Sequence, residues 1–264
     1  MRLRKYSVSH FHLNPTQCKL PNDRPRYYAC AVLLDNVSSN SNSIPEEIGK
    51  KLEDSILHEW FRNNVETGED SLDNSPPIRT NIKPLNICHE SDDVELIPLS
   101  EFLDKSGEED ESKLYVPEKI LKSGASWCFD IVTPSDRRSA CFTSSYGKFV
   151  RGTGSVIAEN IKDTLVEKFR LVPPSERKFD KDWADGLEVG DLRYFSGTEV
   201  ARLFGFPVDP IGEDDNHQQP IFRFPPDLTL KQQWKLLGNS LNVKVTSKIC
   251  EIALRMLLGN SKSM

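Results

Sequence analysis

Residues Tyr27 to Leu34 read YYACAVLL, a nearly continuous apolar run that follows Pro25. Such a run is typical of a strand buried on both faces of a mostly parallel sheet. No run of comparable quality occurs among the 26 residues before it. The sequence therefore predicts an α/β protein in which this strand belongs to an incomplete sheet.

Helix signals follow this strand. Ser43 and Glu46 form an S-x-x-E capping box at the start of a stretch, Ser43 to Arg62, whose apolar residues recur at every fourth position. Three more helices are predicted: one opened by a capping box at Ser196 and Glu199, one from Thr229 to Gly238, and one from about Asn242 to Leu258.

Charge is distributed unevenly along the 264 residues. The net charge is -6, but residues 90 to 111 hold ten acids and one lysine, so the remainder is mildly basic at +3. Residues 63 to 112 are polar, acidic and rich in turn-forming residues. We expect this stretch to be a mobile insertion, and a solvated linker is its simplest interpretation.

Composition excludes several classes of protein. Hydrophobic residues make up 37% of the chain, and no apolar run approaches the roughly 18 residues that a membrane span needs. The first residues lack the apolar core of a signal peptide. Six cysteines occur without a C-x-x-C pair, so neither a disulfide framework nor a metal site is predicted. The sequence predicts neither a membrane protein nor a secreted one.

Two arginines stand at the mouth of the apolar strand. Arg24 and Arg26 are two positions apart, so in an extended chain both side chains point to the same side. Guanidinium groups beside a core strand require anionic or carbonyl partners. A pair of structural salt bridges is the simpler alternative to a ligand-binding role.

A basic, glycine-containing loop is predicted from Arg137 to Gly154. It carries four basic residues and no acid up to position 151, and either Tyr146 or Phe149 could stack on a base. The alternative is a surface hairpin with glycines at its turns.

Two predicted helices are joined by a short turn, from Leu237 to Val243. Its Gly-Asn-Ser sequence suits a small zwitterionic or anionic ligand as well as it suits an ordinary helix junction.

These segments, in this order, resemble the carboxyl-terminal part of the cytosine-C5 methyltransferases, most closely the eukaryotic tRNA(Asp) cytosine-5-methyltransferase family. Residues 21 to 28 are similar to the eighth motif of that family, and residues 138 to 155, with Cys-Phe-Thr at Cys141 to Thr143, to its target-recognition segment. Leu192 to Pro207 resembles the ninth motif and Gln232 to Val243 the tenth.

The resemblance implies a domain organisation. Residues 1 to 35 would be the end of a Rossmann-like AdoMet methyltransferase domain and residues 226 to 264 the return to it, contributing its last strand and last helix. Residues 36 to 225 would form a small target-recognition domain that interrupts it, with the mobile acidic insertion at about 63 to 112.

The resemblance also implies an activity, which is AdoMet-dependent methylation at C5 of a flipped-out cytosine in tRNA by a cysteine thiolate that attacks C6. Arg26 would contact the cytosine carbonyl oxygen, Arg24 would support that site, and Asn239 and Ser240 would border AdoMet. The residues implied to hold RNA are Arg137, Arg138, Cys141, Phe142, Thr143, Tyr146, Lys148 and Arg151.

The sequence departs from the family in three motifs. The glycine-rich AdoMet loop, the Pro-Cys nucleophile and Glu-Asn-Val do not occur, and neither Cys18 nor Cys30 follows a proline. Cys30 lies in the apolar strand, where a thiol stays protonated. We therefore expect an amino-terminally incomplete member that is inactive alone, and a monomer in the cytoplasm or nucleus when complete. The alternatives are a catalytically dead RNA-binding remnant and a fragment of a DNA cytosine-5-methyltransferase.

Overall fold

The computed structural model describes residues 6–33, 96–104, 111–158, 169, 172, 176–177, 181–208 and 222–259. These residues divide between two compact units. Unit 1 holds residues 6–13, 25–33 and 246–259, and unit 2 holds residues 14–24 and the described residues from 96 to 245. The helix predicted over Ser43 to Arg62 lies outside the described residues, as does most of the acidic stretch.

Unit 1 contains an antiparallel pair of strands, β1 (Tyr6–Leu13) and β2 (Arg26–Leu33), in which Phe11 pairs with Tyr28. The predicted strand is therefore present, but two details of the prediction are wrong. Its partner precedes it in the chain and runs antiparallel to it. Its side chains also alternate, since Cys30 is buried and Tyr27 is 55% exposed, so the strand is covered on one face only.

The carboxyl-terminal helix α5 (Val243–Gly259) contributes the buried Ile252 to unit 1. The Cys30 thiol lies 3.8 Å from the carbonyl oxygen of Ile249 on this helix. Burial is the main cause that raises the pKa of the Cys30 thiol, and the nearby Cys250 raises it further. The direction of this shift agrees with the predicted protonated thiol at Cys30, because burial disfavours the thiolate.

Unit 2 is built around a small mixed sheet. In this sheet β3 (Asp130–Val132) pairs in parallel with β4 (Ser155–Ala158), which pairs antiparallel with β5 (Leu192–Arg193). Its helices are α1 (Glu118–Leu121), α2 (Lys181–Gly186), α3 (Gly197–Leu203) and α4 (Leu230–Asn239). Short 3-10 helices cover Pro15–Cys18, Leu99–Phe102, Glu111–Lys113 and Ser126–Cys128.

The predicted helix starts in unit 2 are confirmed. The side chains of Ser196 and Glu199 form a reciprocal capping box at the start of α3. Thr229 and Gln232 form another at the start of α4. Each box satisfies backbone N–H groups that the first turn of a helix leaves without partners, so the local sequence determines where these helices begin.

Part of the acidic stretch, residues 96–104, packs into unit 2, and the mobility predicted for residues 63 to 112 stays a prediction. Leu99 and Phe102 are buried in the core of unit 2. Asp104 bonds to Arg202 with an O–N distance of 2.6 Å. Two large apolar side chains within one short turn bury enough surface to hold this segment despite its acids.

A buried ion pair joins β5 to α3. Both nitrogens at the end of the Arg193 guanidinium donate to the Glu199 carboxylate at 2.9 Å, in a bidentate arrangement. The same carboxylate accepts from the backbone N–H groups of Ser196 and Asp104, at 2.8 and 2.9 Å. The buried carboxylate of Glu199 therefore connects three segments of unit 2, which are β5, the start of α3 and the segment that ends at Asp104.

We expect Glu199→Gln to lower the free energy of unfolding by about 2 kcal/mol, because the amide removes the charge opposite a buried guanidinium. Urea unfolding at pH 7, followed by tryptophan fluorescence, would show a lower midpoint with an unchanged slope. Glu118→Gln, at an exposed position of α1, is the matched control. Equal midpoints for the two variants would contradict the prediction.

Candidate functional site

The guanidinium of Arg24 joins the three segments that carry unusual chemistry in the sequence. It is 3% exposed and donates to the carbonyl oxygens of Phe142 at 2.7 Å and of Gly238 and Ser240 at 2.9 Å each. It also lies 3.2 Å from the Cys141 sulfur. The partners are therefore carbonyl oxygens rather than the carboxylates of a salt bridge. We call these five residues the Arg24 clasp.

The residues before Arg24 dock on the same segment. The Asn22 amide nitrogen donates to the Ser139 hydroxyl and the Ala140 carbonyl oxygen, at 3.2 and 3.0 Å. The Ser139 hydroxyl donates to the carbonyl oxygen of Pro21 at 2.7 Å. Residues 21 to 24 therefore form hydrogen bonds with the first part of the basic loop, from Ser139 to Phe142.

The basic loop is fixed from inside by Tyr146. Its hydroxyl donates to the carbonyl oxygen of Ser155 at 2.5 Å and accepts from the backbone N–H of Phe195 at 3.0 Å. Its ring centroid lies 4.9 Å from those of Phe142 and Trp234. Burial raises the pKa of Tyr146 well above its usual range, so the phenol remains a hydrogen-bond donor.

Two glycines permit the close packing of this loop on α4. Gly147 has a φ of +71°, and a Cβ there would overlap the ring of Trp234. A Cβ at Gly238 would overlap the backbone of Thr143 and Ser144. Both positions require glycine, because the loop and the helix approach more closely than any side chain allows.

The structure corrects part of the predicted RNA-binding set. Phe142 and Tyr146 are 1% and 4% exposed, so neither ring has a face open to a base, and the prediction of base stacking on Tyr146 is wrong. Cys141 and Thr143 are half-buried, and the backbone N–H of Thr143 closes the loop by donating to the Thr153 carbonyl oxygen at 2.9 Å. The loop consists of turns and bends rather than the strands of a hairpin.

An exposed set of side chains remains on this loop, and we call it the basic face. Its members are Arg137, Arg138, Lys148, Phe149 and Arg151. Arg137 donates to the carbonyl oxygen of Leu96 at 2.6 Å, which anchors one end of the face. Four positive charges and one aromatic ring are thus offered to solvent, a combination that suits phosphate groups and bases.

A groove of about 600 Å³ lies beside the first two of these arginines. Its charged lining residues are Asp23, Asp130, Asp136, Arg137, Arg138 and Arg177. Arg177 stacks on Phe169, with 4.3 Å from the guanidinium carbon to the ring centroid. Neither Asp130 nor Arg177 was predicted as a site residue, and no local pattern in the sequence marks them.

The turn between α4 and α5 has features of a helix junction and of a binding edge. The Ser240 hydroxyl donates to the carbonyl oxygen of Leu237 at 2.7 Å, and Asn242 caps α5 by accepting from Val245 N–H at 3.1 Å. Asn239 is exposed. The Asn239 amide and the acceptor lone pairs of Ser240 are groups that fit the polar parts of a cofactor such as AdoMet.

Arg26, the other predicted arginine, lies in unit 1 and is exposed. Its guanidinium donates to the carbonyl oxygen of Pro25 at 2.9 Å. Its predicted contact with a cytosine carbonyl stays a prediction.

Within the described ranges, no cluster of three or more His, Cys, Asp or Glu residues could hold a metal ion, and no helix is long and apolar enough to cross a membrane.

Comparison with known proteins identifies relatives across most of the chain. The family model for C-5 cytosine-specific DNA methylase matches residues 2–254. The chain is 30% identical over 267 residues to the tRNA (cytosine(38)-C(5))-methyltransferase of Homo sapiens, covering 94% of this chain and 63% of that protein. It is 32% identical over 253 residues to the DNA (cytosine-5)-methyltransferase of Dictyostelium discoideum, covering 94% and 57%.

Solved structures show the same fold. The S. pombe Dnmt2 methyltransferase matches with a TM-score of 0.54 and 24% identity, over 96% of this chain and 59% of that one. The Entamoeba histolytica methyltransferase EhMeth matches with a TM-score of 0.52 and 23% identity, over 96% and 54%. The predicted α/β methyltransferase class is confirmed, and the chain spans about 60% of the length of these relatives.

Proposed function

The chain belongs to the C-5 cytosine-specific DNA methylase family, and from that premise we propose that it supplies the target-recognition part of an enzyme that methylates C5 of a cytosine in tRNA. Its relatives from Homo sapiens and Rattus norvegicus, each 30% identical to this chain, are tRNA (cytosine(38)-C(5))-methyltransferases. The methyl group transferred in the proposed reaction would come from AdoMet.

The observation that carries this proposal is the Arg24 clasp. One buried guanidinium binds both the start of the basic loop, at Phe142, and the turn at Ser240 that is proposed to border the cofactor. A fixed loop presents its cations at fixed positions, which lowers the entropy cost of binding a folded RNA. Arg24 thus supports the site from inside the core, as a positioning residue.

The other proposed roles follow from exposure and chemistry. Arg26 would donate to the carbonyl oxygen of the target cytosine, which requires a guanidinium that is open to an incoming ligand, and Arg26 is exposed. Asn239 and Ser240 would border AdoMet. Arg137, Arg138, Lys148 and Arg151 would meet phosphates of the RNA backbone.

A DNA substrate is the second candidate, because the Dictyostelium relative is named a DNA (cytosine-5)-methyltransferase. An RNA-binding remnant without activity is the third. Binding of tRNA and of duplex DNA to the 264-residue chain, measured at equal ionic strength, separates the first two. Tighter binding of duplex DNA would replace the tRNA proposal.

The salt dependence of tRNA binding tests the role of the basic face. We expect Lys148→Ala with Arg151→Ala to weaken binding and to flatten the slope of log K against log salt by roughly 0.7 per lost contact, since each contact releases counterions. Lys119→Ala with Lys181→Ala removes the same charge from exposed positions on α1 and α2 and should leave the slope near the wild-type value. If Lys148→Ala with Arg151→Ala keeps the wild-type affinity and salt slope, the basic loop is a solvated surface turn and not an RNA-binding site.

A further inference from the structure

We propose that Phe149 is a base-stacking residue, which holds one unpaired base of a single-stranded RNA segment against the basic face. This inference rests on the proposed function and deepens it, because it names the structural class of RNA that the loop selects. It also replaces Tyr146, whose ring is buried, as the aromatic contact of the loop.

Phe149 is the most exposed large hydrophobic side chain in the described part of the chain, at 58%. The other aromatic residues of the same loop, Phe142 and Tyr146, are packed in the core. An outward phenylalanine contributes nothing to that core, and water contact with its ring is unfavourable. A ring in this position gains free energy when an apolar or aromatic surface covers it.

The backbone that carries this ring is held on both sides. The N–H of Phe149 donates to the carbonyl oxygen of Ser145 at 3.2 Å, and the Thr153 hydroxyl donates to the Phe149 carbonyl oxygen at 2.6 Å. Two residues earlier, Gly147 is packed against Trp234. The backbone that presents the ring is therefore held before any ligand arrives, so stacking does not require the loop to become ordered.

The charges around the ring suit a nucleotide rather than a free aromatic compound. The Lys148 ammonium lies 5.2 Å from the Phe149 ring centroid, and Arg151 is exposed two residues further along the chain. One ammonium can cover only one face of a ring, and an exposed cation–π contact of this kind is weak. A base on the ring brings its phosphate towards these cations, which is the combination found in single-strand binding sites.

This arrangement discriminates between RNA structures. Every base has a face that can stack, so one phenylalanine reads no sequence. The bases of a duplex, however, are already stacked on one another, and bases in loops and bulges are accessible. Phe149 therefore favours the unpaired segments of a tRNA over paired stems.

Binding measurements on the 264-residue chain test the proposal with three variants. We expect Phe149→Ala to weaken binding of tRNA and of a single-stranded oligoribonucleotide by roughly 5- to 100-fold, with an unchanged salt slope, since no phosphate contact is lost. Phe149→Trp should retain wild-type affinity. Val189→Ala removes a side chain of similar exposure, 56%, elsewhere in unit 2 and should change nothing.

A spectroscopic signal distinguishes stacking from a general loss of structure. The indole of Phe149→Trp should be quenched by the single-stranded oligoribonucleotide beyond the change seen in the wild-type chain, and a fully paired RNA should quench it less. Equal affinities for Phe149→Ala and Val189→Ala, or equal quenching by both RNAs, would overturn the proposal. If stacking by Phe149 fails these tests but Lys148→Ala with Arg151→Ala still flattens the salt slope, the proposed function stands without the stacking role of Phe149. A wild-type chain that binds no RNA would overturn both the stacking role and the proposed function.

Discussion

The 264-residue chain is expected to transfer no methyl group from AdoMet to tRNA. Its sequence contains no Pro-Cys dipeptide, and the covalent step of cytosine methylation needs a thiolate nucleophile. Cys30 is a poor candidate because its side chain is buried in β2, and burial raises the pKa of its thiol and so disfavours the thiolate. Incubation with tritiated AdoMet and tRNA should give labelling no higher than a control without protein.

A chimaera provides the positive arm of this experiment. Joining the chain to the amino-terminal segment of the human tRNA methyltransferase relative is expected to restore labelling. In that chimaera Arg26→Ala should abolish turnover with little change in the salt slope of tRNA binding, because its proposed partner is a base carbonyl rather than a phosphate. Time-dependent labelling by the 264-residue chain alone would contradict the prediction, and Cys141, beside the Arg24 guanidinium, would become the residue to replace next.

Replacement of Arg24 is expected to have the largest effect on stability. Arg24→Met should lower the free energy of unfolding of unit 2 by about 3 to 5 kcal/mol, because the buried carbonyl oxygen of Phe142 and the partly buried ones of Gly238 and Ser240 would lose their donor. A typical domain is stable by about 5 to 15 kcal/mol, so this loss brings unit 2 close to unfolding. Urea unfolding followed by tryptophan fluorescence measures it.

Two further variants make the Arg24 experiment specific. Arg24→Lys keeps the charge but replaces the planar fork with a compact ammonium that cannot reach carbonyls on two sides, so most of the loss should persist. Arg138→Met, at an exposed position of the basic face, should change the midpoint little. An Arg24→Met midpoint that matches that of Arg138→Met would show that the clasp contributes little to stability.

Local signals in the sequence predicted α3 and α4 of unit 2, but neither α1 nor α2 was predicted. The capping boxes at Ser196 and Thr229 act within four residues, so their effect is visible without tertiary information. Strand pairing was harder to predict. β2 was recognised from its apolar run, but its partner β1 includes two serines and two histidines among eight residues, and pairing with β2 depends on tertiary structure rather than on local propensity.

The site was predicted in its parts but not in its arrangement. Arg24, Phe142 and Ser240 were each singled out, yet only the fold shows that one guanidinium contacts all three segments. Tyr146 was expected to face RNA because an aromatic residue in a basic loop suggests stacking, and Phe142 was expected there from the resemblance of Cys141 to Thr143 to the target-recognition segment. The sequence could not show that glycine at 147 brings the loop against Trp234 and turns these rings into the core.

The span of the Arg24 clasp has a consequence for synthesis of the protein. Arg24 leaves the ribosome before its partners Phe142 and Ser240, which follow 118 and 216 residues later. At a translation rate of roughly 5 to 20 residues per second, the guanidinium waits on the order of 10 to 40 s for the last of them. During that interval the nascent chain can begin α3 and its capping box, but it cannot close the clasp. A messenger RNA that ends before the codon for Ser240 would therefore yield a polypeptide whose basic loop lacks its final anchor, and such a chain is exposed to cellular proteases.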